Sequence, residues 1–301
     1  MLNNMRRGAV DSFLSSHKGQ TRHGHRGYLL PMDENLTLHD GNSIPRLGLG
    51  VFQATDGDEI TAVSHALKSG YRHIDTAAMY GNEKGVGQAI ADSGVPREEI
   101  FITTKVWNER IRNGETSASI DESLEKLGVD SVDLMLLHWP VDGRVQAWQE
   151  LVAARKDGRV KSIGVSNFIP EHLDELVASS DVKPVINQVE YHPWHEPHDI
   201  ITSSAKHGIA VEAWSPLMRG RLVEEPVLVD IAAELGRTEA QVALRWMLQK
   251  DVVVIPKSVT PSRIESNAQL FDFELSSNVM ERIDNIEGQG RIGPDPAKFD
   301  F

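Results

Sequence analysis

The heptapeptide VDLMLLH, residues 132–138, is apolar almost throughout and ends on a histidine. A strand with one wet face alternates apolar and polar residues, so this unbroken run predicts a strand covered by protein on both faces, as in a parallel sheet flanked by helices. Just before it, Ile120, Leu124 and Leu127 recur at helical spacing, and Gly128 follows where helices commonly end. The stretch therefore predicts a helix followed by a buried strand, the repeating unit of an α/β fold.

Similar strand-like runs recur along the chain and alternate with helical patterns. The predicted strands are residues 47–51, 72–76, 101–106, 132–138, 160–165, 185–189, 209–214 and 252–256. Eight such units over about 250 residues match a (β/α)8 TIM barrel, whereas a doubly wound sheet usually carries a glycine-rich first turn, and no G-x-G-x-x-G follows a strand here. Ahead of the first unit, LTLHDGNSIP predicts a β-hairpin with its turn at Asp40-Gly41, closing the bottom of the barrel. Residues 32–301 are thus expected to form one catalytic domain.

Composition narrows the classes of function. The chain has 301 residues, 40% of them hydrophobic, no cysteine and a formal net charge of −13. The acidic balance argues against a nucleic-acid partner, because such proteins neutralise phosphates with Lys and Arg. No run approaches the ~18 apolar residues that cross a bilayer. The absence of cysteine excludes disulfides and suits a reducing compartment, so we expect a cytoplasmic protein with no membrane partner.

Residues 1–31 differ from the rest, with five basic residues against one acidic residue and many Ser, Gly and His. The segment has neither a hydrophobic period nor a secretory apolar core, which predicts a disordered extension. A transit peptide is one alternative. Another is that Met32 is the natural start and that the segment precedes it only in the gene model.

Four polar residues fall at or after neighbouring strand ends: Asp75, Tyr80, Lys105 and His138. Each alone has an ordinary structural explanation, as a helix cap, a packing ring, a surface amine or a core histidine. In a barrel, however, the carboxyl ends of the strands meet at one mouth, where active sites are built. An acid, an amine, a phenol and an imidazole together are what proton transfer to a carbonyl requires.

The chemistry of these four residues depends on the phenol. Its ordinary pKa of about 10 makes Tyr80 a slow proton donor at neutral pH, and we expect the Lys105 ammonium to lower that pKa. A buried ammonium needs a counter-charge, which Asp75 can supply. His138, expected to be neutral, would orient the substrate oxygen.

Seven segments of the chain resemble the signature segments of the aldo-keto reductase superfamily. They are DTAAMYGNE, TTKVWN, LLHWP, GVSNF, NQVEYHP, AWSPL and IPKSVTPSRI. The resemblance covers residues 34–297 and is strongest to bacterial enzymes of the 2,5-diketo-D-gluconate reductase type. It implies an NADPH-dependent reduction of aldehydes and ketones, such as dicarbonyls and keto-sugars, in a barrel without a Rossmann fold. Asp75, Tyr80, Lys105 and His138 match the catalytic tetrad, with Tyr80 as general acid in reduction.

The same resemblance implies a cofactor site for NADPH or NADP+. Its residues would be Ser166, Asn167, Gln188, Trp214, Ser215, Pro216, Leu217, Lys257, Ser258, Val259, Arg263 and Asn267. Ser166, Asn167 and Gln188 match the positions that bind the nicotinamide carboxamide, and Trp214 matches the aromatic that stacks on the ring. Phe52, Trp107 and Trp139 match the walls of the substrate pocket, whose apolar character predicts promiscuity.

Physical reasoning on the segment after strand eight supports a phosphate site. Lys257, Ser258 and Arg263 lie close together at a predicted helix start, where anions are favoured, so NADPH is expected to be preferred over NADH. A solvated basic helix start is the alternative. One departure from the family pattern is Ser266, where many relatives have a glutamate that contacts adenine; here Glu265 lies one place earlier. Residues 216–226 suit a flexible cover over the pyrophosphate, with a plain surface loop as the alternative.

Three further interpretations compete with this one. In EYHPWHEPH, His192, His195 and His198 are densely spaced, as in zinc hydrolases, but Pro193 and Pro197 break any helix that would align them, so no metal is expected. A Schiff-base lyase would use Lys105 as a neutral nucleophile, which a nearby Asp75 disfavours. A redox-sensing NADPH-binding protein of the same fold is the third. Relatives of this type are often monomeric, and a monomer is expected.

Overall fold

A β-hairpin begins the part of the chain that the computed structural model describes, residues 32–298; the predicted extension, residues 1–31, lies outside it. Strands β1 (Asn35–Thr37) and β2 (Ser43–Pro45) pair antiparallel. The turn lies at Asp40-Gly41 as predicted, with Gly41 at a φ of 89°. Leu38 and Ile44 are buried against the amino ends and inner faces of the barrel strands, so the hairpin covers the bottom of the barrel.

Eight parallel strands follow, in the sequence order that the periodicity predicted. They are β3 Leu49–Gly50, β4 His73–Asp75, β5 Phe101–Val106, β6 Val132–Leu137, β7 Val160–Ser166, β8 Ile186–Glu190, β9 Ala210–Trp214 and β10 Val253–Val254. The sheet closes on itself, because Gly48 N donates to Val254 O (2.9 Å) and Val254 N donates to Arg46 O (2.9 Å). The predicted (β/α)8 barrel is confirmed.

The last strand is shorter than predicted. Residues 252–256 were expected to be extended throughout, yet only Val253 and Val254 form a ladder. Pro256 has no N–H to continue the ladder, although its carbonyl accepts from Gly50 N at 3.2 Å. The seam between first and last barrel strands therefore consists of a few separate bonds.

Helices surround the barrel. They are α1 Asp58–Lys68, α2 Glu83–Asp92, α3 Asn108–Arg112, α4 Thr116–Leu127, α5 Arg144–Lys156, α6 Pro170–Ala178, α7 His198–His207, α8 Pro226–Leu235, α9 Glu239–Gln249, α10 Pro261–Ala268 and α11 Ser277–Asp284, with 3-10 turns at Ala78–Tyr80, Arg97–Glu99 and Met218–Glu224. Helix α4 ends at Gly128, with a φ of 67°, as predicted. None of these helices within residues 32–298 has the length and apolar character to cross a membrane.

Strand β6 explains how the core is divided. Leu134 and Leu136 point into the barrel and pack with the hairpin, whereas Met135 and Leu137 point outward under the helices. All six residues of the strand are buried. This two-sided burial is the reason the strand is a continuous apolar run, as its sequence predicted.

Candidate active site

The four polar residues predicted at the strand ends come together at the carboxyl-terminal mouth of the barrel. Asp75 ends β4, Lys105 lies near the end of β5, His138 follows β6, and Tyr80 ends the 3-10 turn after β4. Asp75, Tyr80 and His138 line a cavity of about 890 Å³, and Lys105 is fully buried beneath it. The topology of the barrel thus produces the cluster that the sequence predicted.

Lys105 is the centre of this cluster. Its Nζ donates to Asp75 Oδ1 (2.7 Å) and to the backbone carbonyl of Thr76 (2.8 Å). It also lies 5.1 Å from the centroid of the Tyr80 ring. Burial lowers the pKa of Lys105, but Asp75 and Tyr80 outweigh burial and raise it above its ordinary value. The ammonium is therefore charged at neutral pH.

The prediction for the pKa of Tyr80 is right about the direction in which Lys105 acts but wrong about the net result. The ammonium does pull the pKa of Tyr80 down, but desolvation by burial is the larger effect, and the net pKa is raised. The expectation of a lowered pKa was wrong in sign because Asp75 offsets part of the lysine charge and the pocket excludes solvent around the phenol. Tyr80 is a protonated phenol at neutral pH.

His138 is neutral, as expected. Burial, followed by the charge of Lys105, places the pKa of His138 well below its ordinary value. The imidazole packs edge-on against Trp107 and Tyr80, with ring centroids 5.1 and 5.8 Å apart. Its Nδ1 has no hydrogen-bond partner within residues 32–298.

Asn82 fastens the turn that carries Tyr80. Its Oδ1 accepts from Thr76 Oγ1 (2.7 Å), and its Nδ2 donates to the carbonyls of Val51 (2.9 Å) and Ala54 (3.0 Å). Gly81, between Tyr80 and Asn82, has a φ of 70°, a conformation that costs glycine little. The buried amide joins the loops after β3 and β4, and so fixes the direction of the Tyr80 side chain.

A second polar network lies deeper inside the barrel. Gln188 Nε2 donates to Asp75 Oδ2 (2.8 Å) and to Glu212 Oε2 (2.8 Å). Glu212 Oε1 lies 3.7 Å from His73 Nε2, which is also 3.0 Å from Thr103 Oγ1. Sequence reasoning missed Glu212, although a lone acid between the apolar residues of β9 was a signal of it.

The residues predicted to hold the nicotinamide end form one hydrogen-bonded group. Asn167, at a φ of 64°, donates to His138 O (3.1 Å) and Ser166 Oγ (3.0 Å) and accepts from Trp214 Nε1 (2.8 Å). Ser166 Oγ in turn donates to the carbonyl of Gln188 (2.8 Å). All four residues line the cavity, with the Trp214 ring as part of its wall.

The predicted phosphate-binding residues line the same cavity. Lys257, Ser258 and Arg263 line it beside the start of α10. Lys257 and Arg263 are exposed and have no ion-pair or hydrogen-bond partner among the described residues, so both cations are available to an anion. Glu265 pairs with His65 at 2.9 Å and does not line the cavity, whereas Ser266 does.

The remaining predicted cofactor residues also line the cavity: Ser215, Pro216, Leu217, Val259 and Asn267. In the segment predicted as a cover, Arg219 and Gly220 line it as well, and Arg219 has a φ of 53°. Arg221 instead stacks on Trp194, with its guanidinium carbon 4.5 Å from the ring centroid.

Aromatic side chains predicted for the substrate pocket line the mouth of the cavity. Phe52, Trp107 and Trp139 all line the cavity, and Phe52 lies 5.0 Å from the Tyr80 ring, centroid to centroid. Phe52 and Met79 are both more than 40% exposed, 42% and 44% respectively, so the rim is apolar. Met79 was not predicted, because its position one residue before Tyr80 shows no pattern of its own.

The C-terminal segment completes the wall through Glu190, a second residue that sequence reasoning missed. Glu190 Oε1 accepts from Ile292 N (2.6 Å) and Gly293 N (3.0 Å), and also contacts His192 Nε2 at 3.0 Å. A β-carbon at position 293 would collide with the Trp214 ring, so glycine is required there. Pro294 then lines the cavity.

The histidine-rich stretch makes local bonds. His192 hydrogen-bonds Glu190 and forms a backbone bridge with His195, whereas His198 lies 3.7 Å from Glu196. Within residues 32–298, no group of three or more metal-ligating side chains could hold an ion.

Comparisons with known proteins agree with this geometry. The sequence model described as the aldo/keto reductase family matches residues 46–287. Glyoxal reductase of Bacillus subtilis (strain 168) is 47% identical over 90% of this chain and 99% of its own, and methylglyoxal reductase DkgA of Escherichia coli (strain K12) is 45% identical over 88% and 97%. A Bombyx mori aldo-keto reductase in complex with NADP is similar in structure, with a TM-score of 0.78 and 37% identity over 83% of this chain and 91% of that one.

Proposed function

This chain belongs to the aldo/keto reductase family of oxidoreductases, and we propose that it reduces aldehydes and ketones to alcohols with NADPH, using Tyr80 as the proton donor. The observation that carries the proposal is the buried Lys105 ammonium, which donates to Asp75 and lies 5.1 Å from the centroid of the Tyr80 ring. A charge in this position stabilises a phenolate more than a phenol, which eases proton release.

Each residue of the cluster then has a distinct role. When bound, NADPH supplies a hydride to the carbonyl carbon. Tyr80 gives its proton to the carbonyl oxygen, and Lys105 stabilises the phenolate that remains. Asp75 keeps Lys105 charged and in place, and neutral His138 directs the substrate oxygen toward Tyr80. In the reverse direction Tyr80 acts as the base.

The cofactor proposal rests on the available cations and on the hydrogen-bonded polar group that lines the same cavity. Lys257 and Arg263 would hold the 2′-phosphate, with Arg263 able to make paired hydrogen bonds. Ser166, Asn167 and Gln188 would bind the carboxamide, and Trp214 would stack on the nicotinamide. Ser215, Pro216, Leu217, Ser258, Val259 and Asn267 complete the proposed contacts.

Small dicarbonyls and keto-sugars are the proposed substrates. Two relatives are named glyoxal and methylglyoxal reductase, and the exposed apolar rim of Phe52 and Met79 with Trp107 and Trp139 behind it accepts compounds of varied shape. The resemblance to 2,5-diketo-gluconate reductases remains a prediction about the keto-sugar.

Loss of NADPH absorbance with glyoxal, methylglyoxal, a keto-sugar and an aromatic aldehyde tests the function. We expect turnover of at least one dicarbonyl, and slower turnover with NADH. Tight NADPH binding without turnover would instead indicate the redox-sensing alternative. A borohydride-trapped substrate adduct on Lys105 would indicate the lyase, which the charged state of that lysine opposes.

Location and assembly are further proposals. The absence of cysteine suits a reducing compartment, and bacterial reductases are among the relatives, so we propose the cytoplasm. All of the proposed catalytic residues come from one chain, which makes a monomer sufficient for activity. Light scattering during gel filtration measures the mass directly.

A further inference from the structure

Glu212 is a buried acid with no role in the proposed proton transfer. Its side chain is inside the barrel on β9, with no exposure to solvent. Oε2 accepts from Gln188 Nε2 at 2.8 Å, but Oε1 has no hydrogen-bond partner within residues 32–298. Since an unpaired buried carboxylate is strongly destabilising, such a group needs a compensating role or a proton.

Gln188 links Glu212 to the catalytic cluster. Its amide nitrogen carries two hydrogens, and one goes to each carboxyl: Asp75 Oδ2 and Glu212 Oε2, both at 2.8 Å. A flipped amide would place its carbonyl oxygen against two carboxyl groups, so the pair of acceptors determines the orientation of the amide. Asp75 Oδ1 is then left for Lys105.

The charges in this network are unequal. Lys105 is the ammonium that neutralises Asp75, and it donates to Asp75 rather than to Glu212. Two carboxyl groups that share one amide and one cation cannot both ionise without leaving an uncompensated buried charge. The carboxyl farther from the cation, Glu212, is the one that keeps a proton.

Resting on the proposed function, we propose that Glu212 is a positioning residue: as a neutral carboxylic acid it holds the Gln188 amide, and through that amide it fixes Asp75 against Lys105. Burial, followed by the charge of Asp75, raises the pKa of Glu212 to about 8, in agreement with this assignment. Burial also lowers the pKa of His73 to about 4, so His73 supplies no counter-charge at neutral pH.

The groups around Glu212 come from several elements. Gln188 on β8 and Val253 on β10, the strands next to β9, carry no charge, whereas the groups that titrate are His73 and Asp75 on β4, Lys105 on β5 and Tyr80 in the turn after β4. Ionisation of Glu212 would add a negative charge to this enclosed set. That charge raises the pKa of Tyr80 further, so the network works best while Glu212 is protonated.

Two substitutions of Glu212 distinguish the effect of its hydrogen bond from the effect of its side-chain volume. Glu212→Gln keeps an acceptor for Gln188 and is expected to leave kcat and the NADPH dissociation constant, measured by tryptophan fluorescence, within about twofold at pH 6.5. Glu212→Leu removes the acceptor and is expected to reduce kcat and weaken NADPH binding, each about tenfold. In a protein that already carries Gln188→Leu, adding Glu212→Leu should have little further effect on kcat and NADPH binding, because both substitutions act through the same amide.

A measurement without cofactor tests the proton. The folded protein retains a proton on Glu212 that the unfolded chain releases near pH 4.5, so the melting temperature of the wild type relative to Glu212→Gln should fall as pH rises from about 5 to about 8 and then level off. Groups common to both proteins cancel in the difference. This measurement needs no carbonyl substrate. Its result therefore tests the protonation of Glu212 separately from the proposed function.

The outcomes are distinct. A folded Glu212→Leu enzyme with wild-type kcat and NADPH affinity would overturn the positioning role. If that variant does not fold, the melting temperatures across the pH series test the proposal. A difference in melting temperature between wild type and Glu212→Gln that does not change with pH would mean that Glu212 is ionised, which would reject the proposal. Equal losses of kcat and NADPH affinity in Glu212→Gln and Glu212→Leu would also reject it, because the proposal requires the conservative Gln substitution to preserve both.

Discussion

The two ends of the barrel are built from opposite chemistry. At the amino end, Leu38 and Ile44 of the hairpin pack on Phe101 and Leu134 in an apolar cluster. Toward the carboxyl end, the barrel encloses the buried polar side chains of Asp75, Lys105 and Glu212. Within residues 32–298, six of the seven positive φ angles in residues other than glycine lie in loops that follow strands at this end, at Gln53, Asp56, Asn167, Ser215, Met218 and Arg219, and the seventh, Asp251, precedes β10.

The difference indicates where stability and reactivity are located. Apolar burial at the amino end contributes stability without constraining chemistry. Buried charges and left-handed residues at the carboxyl end each cost free energy, and they persist because the surrounding structure holds them. Changes at the two ends should therefore separate cleanly into effects on unfolding and effects on catalysis.

The largest expected effect is at the carboxyl end. Tyr80→Phe removes the proposed proton donor and leaves the ring, so we expect kcat to fall about 10²- to 10⁴-fold with NADPH affinity unchanged. Steady-state kinetics and fluorescence titration measure the two quantities. A mutant that turns over at the wild-type rate would remove Tyr80 from the mechanism.

The matching change at the amino end is Ile44→Ala. Ile44 has no exposed surface, so truncation should lower the free energy of unfolding by about 2 to 5 kcal/mol and leave kcat unchanged. Denaturant unfolding measures the loss, and Ile44→Val should lose only about 0.5 to 1.5 kcal/mol. A large drop in kcat in folded Ile44→Ala would mean that the amino end affects catalysis as well as stability.

A smaller effect is expected at the proposed phosphate site. Arg263→Leu removes a cation that has no partner within residues 32–298, so the KM for NADPH should rise about 10- to 100-fold while the KM for NADH stays the same. The ratio of kcat/KM for the two cofactors is the measurement. Equal losses with both would mean that Arg263 does not recognise the 2′-phosphate.

The smallest effect tests the strain at the carboxyl end. Ser215 has a φ of 52°, and Ser215→Gly should raise the free energy of unfolding by about 1 kcal/mol through relief of that strain. The midpoint of denaturant unfolding reports it. A lower midpoint would mean that the serine side chain stabilises the loop by more than its conformation costs.

Sequence reasoning reached the fold and the clustering of the four polar residues because both follow from regular patterns. Strand ends converge in a barrel, so Asp75, Lys105 and His138 could be placed together from their positions alone. The net pKa of Tyr80 could not be predicted, because it depends on how completely the pocket excludes water. Glu212 was missed because its partners, Gln188 and His73, lie on other strands at unrelated positions in the chain.

The seam of the barrel has a consequence for folding during synthesis. Gly48 and Arg46 near the hairpin bond to Val254, which is separated from them by most of the chain. The strand that emerges first therefore waits for the one translated last, and its unpaired edge is open to aggregation meanwhile. Because closing so long a loop is slow, the ring should close late, after the intervening strands have paired in order along the chain.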